Sequence, residues 1–186
     1  MFRRPFRRAL VRPMRPAMAG NIPPALQRAN QLMAAGQYAE AAEIFEQFAR
    51  GALARNGPRA PWFFLQAGRA RLLNGQTPAG MAHLQQGLSL FAARGQWGKL
   101  HNSGMRLVAE LQGRGLAAEA KQIEDYLKAT LPGGFAAGPA ADAAKPQPLL
   151  PTNCPGCGGP LRSDEVEWAD DFTAECPYCG SAVRAE

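Results

Sequence analysis

The sequence predicts a mainly α fold: about six antiparallel helices in a repeat array, followed by a small β unit organised around a metal ion. Three observations carry this. Apolar residues recur at helical spacing from about residue 23 to 130, a glycine-centred motif recurs through the same span, and all four cysteines fall in two Cys-x-x-Cys pairs between 154 and 179. Four stretches follow: an arm over 1–20, a helical domain over 21–131, a linker over 132–152 and a cysteine module over 153–186.

The arm holds six arginines and no acid, interrupted by Pro5, Pro13 and Pro16. It has no periodic apolar face to offset the entropy of ordering, so it is expected to be disordered alone. It also lacks the apolar run of a secretory or twin-arginine signal. No stretch approaches the roughly 18 to 20 apolar residues of a membrane span, so a soluble chain is expected. Cysteines at metal spacing imply a reducing compartment, with the cytoplasm as default.

From Pro23 onward the helical pattern is carried by Phe45, Phe48 and Ala52; by Met81, Leu84, Leu88 and Phe91; by Gly104, Leu107, Val108 and Leu111; and by Ile123 and Leu127. Gly36-Gln37-Tyr38-Ala39-Glu40-Ala41, Gly75-Gln76-Thr77-Pro78-Ala79-Gly80 and Gly115-Leu116-Ala117-Ala118-Glu119-Ala120 begin 39 and 40 residues apart. Each lies between two helical patterns. The glycine can end the first helix in a left-handed conformation, and the small residue five positions later admits the second helix closely.

On these residues the segment resembles tetratricopeptide repeats. Ala29, Leu32, Gly36, Tyr38, Ala41 and Phe45 match the family's small, large, turn, aromatic, small and aromatic positions, and the second unit offers Phe64, Gly68 and Gly75. The later units depart from the pattern: Thr77 and Ala117 replace the turn aromatic, and Glu124 replaces the second-helix aromatic. The period exceeds the family's usual value of about 34, which implies longer inter-repeat loops such as Asn56-Gly57-Pro58. A generic six-helix bundle is the alternative. The resemblance implies a stacked core and one concave face for partners.

Residues 132–152 contain fourteen Pro, Gly or Ala in twenty-one positions. A flexible linker of that length reaches on the order of 25 Å, so no fixed interface between module and helices is predicted.

Cys154-Pro155-Gly156-Cys157-Gly158 and Cys176-Pro177-Tyr178-Cys179-Gly180 are two copies of one knuckle, with 18 residues between Cys157 and Cys176. Cysteines three apart can aim both sulfurs at one point, and the following glycine frees backbone N–H groups for the thiolates. Cys154, Cys157, Cys176 and Cys179 are thus the expected metal ligands. Four sulfurs suit one structural Zn2+, with iron the competitor and a thiol redox centre the further alternative. Some 35 residues are too few for a self-sufficient core, and zinc binding of order 10 to 16 kcal/mol can supply the difference. Leu161, Val166, Trp168 and Phe172 suggest short strands, with a turn at Asp170-Asp171. The segment resembles a rubredoxin-like zinc ribbon, which implies a β-hairpin at each knuckle.

No catalytic constellation emerges. His83 and His101 fall in helical patterns without a nearby catalytic partner in sequence, and no phosphate loop, dinucleotide fingerprint or nucleophile elbow is present. Closed four-sulfur coordination leaves no position for substrate. The expectation is a non-enzymatic protein-interaction adaptor that uses the repeat groove and the ribbon, its partners unspecified. The alternative is a nucleic-acid-associated protein.

Charge distribution supplies that alternative. Residues 21–133 carry twelve Lys or Arg against seven Asp or Glu, and residues 152–186 two against seven. Arg3, Arg4, Arg7, Arg8, Arg12 and Arg15, interleaved with apolar residues, suit phosphate backbones or an anionic membrane surface; a solubilising tail has the same composition. The acidic module is expected to contact protein, through Trp168 and Tyr178 if exposed, although Trp168 could equally pack over its sheet.

Overall fold

The computed structural model describes residues 22–132 and 148–185. The basic arm and most of the linker lie outside the described residues. Six helices follow in order: α1 (Pro24–Ala34), α2 (Tyr38–Ala54), α3 (Ala60–Leu73), α4 (Thr77–Ala93), α5 (Trp97–Gly113) and α6 (Ala117–Thr130). Each packs against the next, as the periodic apolar stripes require. Phe45, Leu84, Leu88, Phe91, Leu107, Leu111, Ile123 and Leu127 are fully buried.

The turns share one mechanism. After α1, Gly36 takes φ +76°, its N–H bonds Met33 O, and the Gln37 N–H reaches back to Leu32 O at 2.9 Å. That pair of bonds caps the orphan carbonyls of the helix end. Gly75 and Gly115 repeat it as expected, and so does Gly95 between α4 and α5, outside the recognised motif. The longer-loop expectation therefore holds only between α2 and α3, where Asn56 occupies the positive-φ position. Elsewhere the extra period length lies in 17-residue helices.

Close helix approach is achieved with glycine. A Cβ on Gly68 of α3 would come 2.7 Å from Leu84 Cδ2 and 2.9 Å from Gly80 O, and one on Gly80 of α4 would come 2.9 Å from Gly68 O. Across from this seam, Glu46 of α2 accepts from Arg71 Nε of α3 at 2.6 Å and lies 3.1 Å from His83 Nε2 of α4. His83 thus does meet an acid, delivered by another helix.

The C-terminal module contains strands β1 (Glu167–Trp168), β2 (Thr173–Glu175) and β3 (Ala182–Arg184), antiparallel in the order β1-β2-β3. Trp168 pairs with Ala174, and Ala174 with Val183. Asp170 Oδ1 accepts from Phe172 N at 2.8 Å, making the predicted turn. Phe172 projects from that turn, 59% exposed, while Leu161, Val166, Ala174 and Val183 are buried and belong to one core with the helices. Trp168 is half-buried and donates through its indole to Ser163 O.

The module does not stand apart from the helices. It lies along α1, α3 and α5, the first helices of the three pairs. Gln27 and Asn30 reach it from α1, Trp62 and Gln66 from α3, and Lys99 and Arg106 from α5. The expectation of no fixed interface is thus corrected. So is the proposed exposure of Tyr178, whose ring is 2% exposed and sits edge-on to Trp62 with centroids 6.3 Å apart. The cause lies in α3, which is apolar nearly all round: α2 and α4 cover two sides, and the module covers a third.

Candidate metal centre

Each knuckle is a tight turn built the same way. In the first, Gly158 N donates to Cys154 O at 2.8 Å and Cys154 N to Gly159 O at 2.8 Å; in the second, Gly180 N donates to Cys176 O and Cys176 N to Ser181 O, both at 2.9 Å. Gly158 and Gly180 have φ of +74° and +77°, where a side chain would be strained. An Asn153–Pro160 bridge joins the flanks of the first knuckle, and β2 and β3 flank the second. Both knuckles therefore sit in hairpins.

These turns bring the four predicted sulfurs together. Cys154 Sγ lies 3.7 Å from Cys179 Sγ, Cys157 Sγ lies 3.8 Å from Cys176 Sγ, and all four fall within 4.8 Å of one another. The edge of a tetrahedron with metal–sulfur bonds of about 2.3 Å is about 3.8 Å. Disulfides need sulfurs about 2.05 Å apart, so these are free thiols arranged as a cage. The set can hold one metal ion.

The surroundings suit thiolates. Gly159 N donates to Cys157 Sγ at 3.4 Å, and Ser181 Oγ lies 3.2 Å from Cys179 Sγ, where its hydroxyl can donate. Hydrogen bonding to Cys176 and Cys179, reinforced by burial, pushes the Cys157 thiol far up, while hydrogen bonds from Cys157 and Cys176 hold Cys179 well below the usual thiol range. Crowded sulfurs cannot all ionise unaided, and a central cation removes that conflict.

The walls of the centre come from the array. Gln27 Nε2 donates to Gly156 O and Asn30 Nδ2 to Cys157 O, both at 2.8 Å, and Gln66 Nε2 donates to the Tyr178 hydroxyl at 2.7 Å. Burial, with the nearby Glu165 charge, raises the Tyr178 pKa and keeps the phenol neutral. Arg59 pairs with Glu175 at 3.2 Å, Lys99 with Glu167 at 2.6 Å, and Arg106 with both Asp164 and Glu165. Burial lowers the Arg106 pKa, against which Glu165 works. Cysteine spacing singled out the four sulfurs that the fold brings together, but gave no sign of Gln27, Asn30 and Gln66, which lie 129, 127 and 112 residues from their partners and belong to no motif.

Comparison with protein-family models, curated proteins and solved structures finds no match. Among the described residues no helix is long and apolar enough to cross a membrane.

Proposed function

We propose that this chain is a non-enzymatic protein-interaction adaptor, in which a tetratricopeptide-like array and a zinc ribbon, closed by one structural Zn2+ on Cys154, Cys157, Cys176 and Cys179, form a single composite platform. The observation that supports it best is the four-sulfur cage at tetrahedral spacing, fastened to the array through both knuckles. Zinc is favoured over iron because nothing is asked of the metal beyond closure: a full sulfur shell leaves no position for water or substrate.

The α1, α3 and α5 face carries the ribbon and is not left open for partners. Partners therefore meet the platform elsewhere, with the exposed Phe172 turn and the half-exposed Trp97 as its apolar handles. The phosphate-binding reading draws little from the array, because Arg59, Lys99 and Arg106 pair with module acids, while Arg28, Arg69, Lys121 and Lys128 pair with acids of the array.

Two measurements test the proposal. Elemental analysis of the purified full chain should return one zinc per chain, and Co2+ substitution should give tetrahedral thiolate bands; a metal-free protein with reversible disulfides would sink the zinc reading. Cross-linked capture from lysate, split into nuclease-treated and untreated halves, should then recover the same proteins from both, and fewer with Phe172→Ala. Recovery that vanishes with nuclease would replace the adaptor by a nucleic-acid role.

A further inference from the structure

The array grips the first metal-binding turn at the peptide groups next to its cysteines and the second through the side chain of Tyr178. Asn30 is fixed on α1 by its own bond to Leu26 O at 3.2 Å and donates to Cys157 O. That carbonyl shares a peptide unit with the Gly158 N–H, which closes the first knuckle on Cys154 O. Polarising one end of a peptide strengthens the bond at its other end. Gln27 holds the preceding carbonyl in the same way. At the second knuckle the held group is Tyr178, placed between Cys176 and Cys179, with its hydroxyl on the buried Gln66 and its ring against Trp62.

We infer that Gln27, Asn30 and Gln66 are positioning residues of the metal centre, so that the helical array sets the metal affinity of a site whose ligands all lie in the other module. The inference rests on the metal reading above. Partners that orient ligands from outside the coordination sphere commonly govern affinity by ten- to a hundredfold. Reciprocity follows: whatever the array contributes to metal binding, bound metal returns to the array.

The test uses the full chain loaded with Zn2+ or Co2+ and follows metal transfer to a chromophoric chelator. Asn30→Ala and Gln66→Ala should each weaken retention by about tenfold to a hundredfold and shift the Co2+–thiolate bands. Ile123→Ala, which opens the core at α6 away from the module, should lower the melting temperature and leave retention and bands unchanged. Pairing Gln66→Leu with Tyr178→Phe removes donor and acceptor together and should restore much of the retention lost in Gln66→Leu alone. Unchanged retention in Asn30→Ala and Gln66→Ala would overturn the inference, as would an equal loss in Ile123→Ala. Failure of the unaltered chain to bind either ion would overturn the metal reading itself.

Discussion

The helical array and the cysteine module reach order by opposite routes. The array buries a run of large side chains from Leu26 to Leu127 and closes every inter-helix turn with a backbone cap, so its stability is distributed over many contacts. Among its described residues the module buries few large side chains, Leu161, Val166, Tyr178 and Val183, and one of these, Tyr178, is covered partly by the array. A unit so small depends on a few strong ties, while a larger one survives the loss of any single contact. The difference tells where each half is vulnerable.

The largest expected effect breaks the weaker half. On the proposed zinc reading, Cys176→Ser or chelation of the metal withdraws a binding energy of order 10 to 16 kcal/mol. The strand signals of the module should vanish in NMR spectra while most helical circular dichroism remains, with the array melting at lower temperature. Simultaneous collapse of both halves would erase the contrast. Next comes Phe91→Ala at the centre of the stronger half, where Phe91 is fully buried and edge-on to Trp62 with centroids 4.9 Å apart. It should cost about 3 to 5 kcal/mol in chemical denaturation without unfolding the array. Trp62 also faces Tyr178, so module amides should exchange faster as well.

Gly68→Ala sharpens the comparison further, since it tests close packing and not burial. The added methyl meets both a side chain and a backbone oxygen of α4 under 3 Å, and only the side chain can yield, so a loss of about 1 to 3 kcal/mol is expected. The smallest effect concerns Glu46. Burial raises its pKa, but the Arg71 and His83 contacts outweigh this and hold it below the ordinary carboxylate value of 4.5. A group whose folded pKa is depressed adds stability above its unfolded pKa and loses it as pH falls through the folded one. Stability should therefore drop below about pH 4.5, and Glu46→Gln should flatten that drop at a cost of about 1 to 2 kcal/mol near neutrality.

Legibility from sequence followed the range of the interaction. The helices could be read from spacings of three and four, and the four-cysteine cluster from Cys-x-x-Cys, because both signals are local. Gly95 caps α4 just as Gly75 caps α3, yet it lies 20 residues after Gly75, off the 39- and 40-residue repeat, and is followed by Gly98-Lys99-Leu100 where Gly36 is followed by Ala39-Glu40-Ala41. The docked module was the main surprise. Its anchors are three amide side chains of ordinary helical residues, and their partners are two backbone carbonyls and a phenol hydroxyl more than a hundred residues away. The run Trp62-Phe63-Phe64-Leu65 is buried on consecutive positions, so α3 is covered on every side, but nothing in that run specifies what covers it.

That all-round apolar character of α3 has a consequence for how the protein is made. The array leaves the ribosome first, and the segment that covers Trp62 follows some fifty residues later, a delay of several seconds at about 5 to 20 residues per second. During that interval the helices can already fold around their own core, but one side of α3 stays wet. Completion of the surface waits for the last segment to arrive, and on the zinc reading proposed above metal supply becomes a checkpoint of maturation as well as a condition of the finished fold.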